Sequence, residues 1–573
     1  MEYFIPEEPV VSKNAMAVLK ARYLLKDSVT GEVIETPAEM DVRVAKALSS
    51  AERNKELRAE WYNRFLWMLR NRHALPNSPM LMNAGTKLNQ LFACYVLPIN
   101  DSMDSIFTTL KNAALVHKAG GGTGFGFGRL RASGSMIETT GGSSSGPLSF
   151  LKAYDAATAT VVQGSKRRGA NLAMLPVSHP DIFEFIKLKE KDGELSNFNI
   201  SVACTDEFME AVEQDALFEL EDPKYGVVKN VSAREIMDLI VHYSWKNGEP
   251  GICFIDRVND SNPTPDEEIV SCNPCGETYL LDNEACDLGS INLVSVMKKE
   301  EDEYVVDWDL LREVIAVLVR MLDNAIDVSN FPLDEIETKT KKTRKIGIGV
   351  MGLAEVLFLA NLPYNSREGL AYASELMSFI QQEALGYSRE LAKEKGAFPE
   401  FERSIFCNSE PLRNATVTVQ APTGSISIIA GVSAGIEPLY KLVYERNILG
   451  GTKMVEVNPV FEQIAKDRGV WSNALLEALI NYGSIQKIDN LNIPDDVKKL
   501  FVCAHDVAPE WHVSMQATIQ EFICNSVSKT VNMGYESTEK DVYNIILSAY
   551  RKGCKGVTVY RDGSRDGQPM SSL

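Results

Sequence analysis

The densest run of reactive side chains is Ser271-Cys-Asn-Pro-Cys-Gly-Glu277, which brings two thiols, an amide and a carboxylate together. Cys272 and Cys275 have the spacing of a zinc or dithiol motif. A zinc site needs about four thiolate or imidazole ligands at short spacing. No second Cys-x-x-Cys pair exists, and the nearest further cysteine is Cys286. A thioredoxin-type dithiol opens a helix, whereas Pro274 and Gly276 favour an extended or turning loop. In an extended loop side chains alternate, so the pattern predicts that Asn273, Cys275 and Glu277 project to the same side. One face then offers an amide, a thiol and a carboxylate. The competing reading, a buried turn with incidental polar residues, leaves several polar groups to satisfy.

Ala421-Pro-Thr-Gly-Ser-Ile-Ser427 lies between the alternating stretch Thr416-Val-Thr-Val-Gln420 and the apolar run Ile428-Ile429-Ala430. A strand, a Gly/Ser/Thr turn and a helix start aim N–H groups and hydroxyls at one point, where a phosphate would sit. Simple N-capping is the alternative. Gly347-Ile-Gly349-Val-Met-Gly352 has the spacing of the dinucleotide-binding fingerprint, but only Ile346 separates it from the basic stretch Lys339 to Lys345. Close strand–helix packing is the better reading. The run Gly120 to Gly128 either lets backbone approach a ligand or forms a flexible loop.

Positioning such groups takes a large scaffold, and 573 residues at 45% hydrophobic and 24% charged supply one. From Asn77 onward, glycine-rich turns alternate with short apolar runs and long helical patterns, the rhythm of an α/β protein with a parallel component. Val314 to Ile326 and Asn365 to Lys395 read as helices, the second closed by Gly396. Residues 13–25 and 57–70 carry helical periodicity, with Trp61, Phe65, Leu66 and Leu69 on one face. Pro76 breaks that pattern, so 1–75 reads as a small helical region. The net charge of −19 argues against nucleic-acid binding. The longest apolar stretch, Ile346 to Leu362, is broken by Glu355 and falls short of the ~20 residues of a membrane span. The acidic start lacks the basic region of a secretory signal, so a cytoplasmic protein is expected, with most of its ten cysteines as buried thiols.

Asn273-x-Cys275-x-Glu277, with Cys286 following in Ala285-Cys-Asp-Leu-Gly-Ser-Ile-Asn-Leu293, resembles the finger loop of ribonucleotide reductase catalytic subunits. Asn77 to Gly85, Phe92-Ala-Cys94, Gly120 to Arg131, Gln163 to Asn171, Thr343 to Gly352 and Pro422 to Ile426 resemble further blocks of that family, in family order. The resemblance covers about residues 75 to 566. It implies an α/β fold, a ten-stranded barrel of two five-stranded parallel halves with the finger loop through its centre. That barrel would occupy 76–560, between the helical region 1–75 and a tail, 561–573, and would make Gly347 a strand–helix junction.

The same resemblance implies roles. Cys275 would become a thiyl radical and remove the 3′ hydrogen of a ribonucleotide, with Glu277 as base for the 3′-hydroxyl proton and Asn273 holding the ribose hydroxyls. Cys94 and Cys286 would supply the electrons that release the 2′-hydroxyl as water, ending as a disulfide. Ser78, Ala93, Gly121 and Gly122, with Pro422, Thr423, Gly424, Ser425 and Ile426, resemble the diphosphate and ribose pocket. Asp101, Ser102 and Arg131 resemble residues that hold a dNTP or ATP specificity effector at the interface of a homodimer. Gln163, Lys166, Arg167, Arg168 and Asn171 resemble the loop that passes effector identity to the substrate base; a solvated basic turn is the alternative for the cationic trio.

The radical source separates the classes of this family. The glycyl-radical class should carry a C-terminal glycine motif and a cysteine-rich metal site, and neither is recognisable here. The class with a separate radical subunit relays through two adjacent tyrosines, but Val559 precedes Tyr560. Lys555 to Arg565 and Ala504 to His512 instead resemble the adenosylcobalamin-dependent class, so adenosylcobalamin is the expected cofactor and His505 and His512 are not expected to ligate metal. The alternatives are a large subunit served by a separate radical subunit, a catalytically silent nucleotide-sensing paralogue, and a dehydrogenase built on Gly347. Arg561 to Leu573 hold no cysteine. The tail therefore reads as flexible and truncated, with a small dithiol as reductant.

Overall fold

The computed structural model describes residues 3–161, 169–191, 193–448 and 452–564. Five strands run parallel in the order β1 (Cys94–Val96), β2 (Gly122–Gly126), β3 (Asn171–Pro176), β4 (Phe198–Cys204) and β5 (Gly251–Phe254). A second parallel set starts with β6 (Glu284–Asn292) and β7 (Ile346–Met351). It continues through the extended segment 416–420, bridged in parallel to Ile348 and to Val527, and ends in β8 (Thr530–Met533) and β9 (Gly556–Arg561). The halves meet antiparallel twice, β1 on β6 and β5 on β9, which closes the barrel. The expected two five-stranded halves are present.

The Gly347 to Gly352 run leads from β7 into the helix Leu353–Leu359, the strand–helix junction expected of it. Gly349 sits in β7, where a Cβ would collide with the carbonyl of Val419. Its neighbour is the segment 416–420, so the spacing reflects close backbone approach and no nucleotide fingerprint. In the run at Gly120, read as ligand-approaching backbone or a flexible loop, Gly122–Gly126 is a strand, and a Cβ at Gly124 would run into the carbonyl of Cys272. Glycine is required there because the finger loop lies directly on the strand. Gly124→Ala should destabilise the fold by about 3 kcal/mol, the upper end of the usual cost of overpacking a core, read as a lower denaturation midpoint. An unchanged midpoint would mean that the loop is not held against β2.

Helices cover the outside of the barrel. Trp308–Val328 is buried along most of its length, and Arg367–Lys395 runs from Ser366, whose hydroxyl accepts the Gly369 N–H, to Gly396. In the N-terminal region, Pro37–Ser49 carries a full capping box between Thr36 and Glu39, and Lys55–Arg70 buries Trp61, Phe65, Leu66 and Leu69 as its periodicity predicts. The stretch 13–25 is a helix, Lys13–Val18, continued by a π-helical turn, Leu19–Tyr23. Arg320 forks between Glu52 and Glu394 at 2.7 Å each, tying the N-terminal region to Trp308–Val328. No helix among the described residues is long and apolar enough to cross a membrane.

Candidate active site

The finger is a short hairpin rather than an extended loop. Ser271 and Cys272 pair antiparallel with Leu280 and Tyr279. The Asn273 N–H donates to Thr278 O at 3.0 Å, and the Gly276 N–H donates to Asn273 O at 3.1 Å, with Gly276 at φ 78°. Asn273, Cys275 and Glu277 still reach one cavity, as expected, but the reversal of the chain brings them there, and strict alternation does not. The hairpin is fastened to both halves of the barrel. Asn199 Nδ2 donates to Pro274 O at 2.8 Å. Asn525 accepts from the Tyr279 N–H at 2.8 Å and donates to its carbonyl at 3.0 Å. Sequence reasoning missed both asparagines, since nothing local marks them.

The cavity facing the hairpin encloses about 310 Å³, within the usual range for a small-molecule site. Cys94, Asn273, Cys275 and Glu277 line it together with Ser78, Ala93, Gly121, Gly122 and the whole turn Pro422 to Ile426. Asn77 and Ser290 line it too, and the sequence reading did not single them out. Asn77 Nδ2 donates to the carboxyl of Asp287 at 2.5 Å while its Oδ1 accepts the Met80 N–H at 3.0 Å. Complete burial pushes the Asp287 carboxyl well above the ordinary carboxylate range.

Inside this cavity the amide of Asn273 is oriented by its own hairpin. Its Oδ1 accepts the Thr278 N–H at 3.0 Å, which turns Nδ2 towards Cys94 Sγ at 3.0 Å. The Cys94 thiol lies 4.0 Å from Glu277 Oε1. Cys94 and Cys286 are direct partners across the β1–β6 ladder, an arrangement with Cα atoms about 4.5–5.5 Å apart, inside the range a disulfide spans. Burial, with Glu277 next, pushes the Cys94 thiol well up. Burial likewise raises Cys286, with Asp287 and Glu284 adding to it. Both are therefore protonated at neutral pH. Cys275, at the hairpin tip, is exposed.

A second cavity, about 490 Å³, lies on the other side of the hairpin and shares Pro274, Cys275 and Pro422 with the first. Asn199, Ser201, Glu249, Ser528, Lys529, Thr558 and Tyr560 are among its walls. Glu249 is held by Lys189 at 2.5 Å, and Lys529 is held by Glu437 at 2.5 Å. Lys529 also donates to His512 Nδ1 at 3.1 Å; burial keeps that histidine well below its ordinary pKa, in a packing role. In β9, Val557 and Val559 belong to the main hydrophobic core, while Thr558 and Tyr560 alternate with them. Val559, where the resemblance would put a first relay tyrosine, is buried and also lines this cavity. Tyr440, from a distant segment, lines the same cavity as Tyr560.

Asp101 and Arg131 come together away from both cavities, with Arg131 Nε donating to Asp101 Oδ2 at 2.7 Å. Ser102 caps the helix Met103–Lys118 through a bond from the Ser105 N–H. Gln163, Lys166, Arg167 and Arg168 lie outside the described residues. Asn171 starts β3 as a buried node, accepting from Thr123 Oγ1 at 2.6 Å and donating to Thr158 Oγ1 at 3.0 Å. It lines neither cavity.

Comparison with known proteins agrees with a closed barrel of two parallel halves around a cysteine-bearing hairpin. The family profile described as the ribonucleotide reductase barrel domain matches residues 92–560, and the ribonucleotide reductase all-alpha domain matches 10–89. The chain belongs to the ribonucleotide reductase family. A protein named vitamin B12-dependent ribonucleoside-diphosphate reductase from Mycobacterium tuberculosis is 46% identical over 99% of this chain and 82% of its own length. One of the same name from Thermoplasma acidophilum is 41% identical over 99% of this chain and 81% of its own length.

Proposed function

We propose that the chain reduces ribonucleoside diphosphates to 2′-deoxyribonucleoside diphosphates by a thiyl-radical route that depends on adenosylcobalamin. The carrying observation is that Cys275 stands in the wall between two cavities, one with Cys94, the ladder partner of Cys286, and Glu277, the other with several polar side chains and no reducing thiol pair among its described walls. Substrate occupies the first cavity, with its diphosphate at Ser78 and the turn Thr423 to Ile426. The residues of the second suit an adenosyl group: Asn199, Ser201, Glu249 and Thr558 offer donors and acceptors for a ribose and a purine beside Cys275. When bound there, adenosylcobalamin supplies the one-electron oxidation of the Cys275 thiol. The names of the relatives support this cofactor, and so does the core position of Val559, which removes the adjacent tyrosine pair of a separate radical subunit.

The residues of the first cavity, together with Cys286 opposite Cys94, then divide the chemistry. The Cys275 radical takes the 3′ hydrogen, Glu277 takes the 3′-hydroxyl proton, and Asn273 Nδ2 holds the ribose. Cys94 and Cys286 give two hydrogens: ribonucleotide and two thiols become deoxyribonucleotide, a disulfide and water. C3′ finally takes its hydrogen back from the Cys275 thiol, which restores the thiyl, and Glu277 returns its proton to the 3′-oxygen. Glu277→Gln keeps the shape and removes the base, so kcat should fall about 10²- to 10⁴-fold with CDP affinity retained. A steady-state rate within a few-fold of wild type would reject Glu277 as the base.

Asp101, Ser102 and Arg131 form the effector site of this reading, with Gln163 to Asn171 as the specificity loop. The adjoining helix Met103–Lys118 exposes Met103, Phe107 and Leu115 along one side, an apolar face suited to a second copy of the chain. The functional unit is a homodimer, and dithiothreitol serves as reductant.

A further inference from the structure

Among the described residues, no lysine, arginine or histidine lines the cavity that contains Ser78, Thr423 and Cys275. What the described residues offer a diphosphate there is N–H and O–H donors, in a chain of net charge −19. A hydroxyl has one hydrogen and two acceptor lone pairs. It serves a phosphate oxygen, which only accepts, when that hydrogen is kept facing the ligand. Two of the hydroxyls that line it, those of Thr423 and Ser78, are engaged from behind. The Gly435 N–H donates to Thr423 Oγ1 at 2.7 Å, and Tyr23 Oη lies 2.7 Å from Ser78 Oγ. A phenol is more acidic than an alkyl hydroxyl and is the better donor of the two. With Tyr23 as the donor, Ser78 Oγ accepts and the Ser78 hydrogen is left to face the cavity.

Tyr23 is fully buried and closes the π-helical turn Leu19–Tyr23. Such turns recur at functional sites because the extra residue re-aims a side chain. The preceding helix, Lys13–Val18, packs against Ile426–Ala430, which directly follows the turn carrying Thr423. One N-terminal segment thus braces both hydroxyl-bearing walls of the cavity.

We infer that the segment Lys13–Tyr23 is a working part of the substrate site, and that Tyr23 is a positioning residue that commits the Ser78 hydroxyl to donating towards the substrate diphosphate. This rests on the reading of the cavity as the ribonucleotide site. The test is equilibrium binding of CDP and of cytidine to the full chain as wild type, Tyr23→Phe, Ser78→Ala and the double variant. Tyr23→Phe keeps the ring and removes only the hydroxyl. It should weaken CDP about three- to tenfold, the worth of one net hydrogen bond, and leave cytidine unmoved. In the Ser78→Ala background it should cost nothing further. Equal losses in both backgrounds, or equal losses for CDP and cytidine, would make Tyr23 a packing residue and overturn the inference. If Ser78→Ala weakens CDP and Tyr23→Phe does not, the inference fails while the substrate site stands. If Ser78→Ala leaves CDP affinity intact, the diphosphate lies elsewhere and both fall.

Discussion

Cys275→Ser is expected to abolish deoxyribonucleotide formation, a loss of more than about 10³-fold, equivalent to about 4 kcal/mol of barrier, while ribonucleotide binding survives. Serine preserves the size and the hydrogen bonding of the hairpin tip. Its O–H bond is stronger than S–H, so the radical that starts the reaction is no longer accessible. Cys94 offers no substitute: it lines the first cavity but not the second, where the proposed oxidation would start. Product analysis after incubation with CDP measures the loss, and substantial remaining turnover would remove Cys275 from the centre of the reaction.

Cys94→Ser and Cys286→Ser should each stop multiple turnover for a different reason. The two residues face one another across the β1–β6 ladder, so the disulfide can close without moving the backbone. Burial holds both thiols protonated at neutral pH, which suits them to deliver hydrogen rather than to act as nucleophiles. With no external reductant, wild type should yield about one deoxynucleotide per site, a burst limited by one dithiol. Either serine variant should lose that burst, and dithiothreitol should not restore it. A full burst from either variant would separate that cysteine from the redox pair.

The parts of this architecture that were legible in the sequence are those specified locally. Arg367–Lys395 announces itself through a helical period and Gly396, and the structure adds Ser366 as its N-terminal cap. The group Asn273, Cys275 and Glu277 was legible as one face because residue types and spacing carried it, although Pro274 and Gly276 build a reversal instead of an extended strand. Thr36-x-x-Glu39 with Pro37 was an available signal for Pro37–Ser49 that the periodicity left unresolved within 1–75. Gly120 to Gly128 misleads for a physical reason: a strand of glycines has no side chains to alternate, so its pattern is indistinguishable from a loop until the finger is seen lying on it. The pairing of Cys94 with Cys286 depends on a ladder between distant segments, which no local pattern encodes. The second cavity is equally non-local, being assembled from β4, β5, β9 and the segment around Ser528 and Lys529.

Corrinoid-dependent ribonucleotide reduction by this single chain can be addressed in one assay: conversion of CDP to dCDP by the purified protein with dithiothreitol, with and without adenosylcobalamin. dCDP should form only when adenosylcobalamin is present, with no second protein added. Formation of dCDP that ignores the corrinoid and requires a separate metal-bearing protein would overturn this reading of the site, as would the absence of dCDP under both conditions.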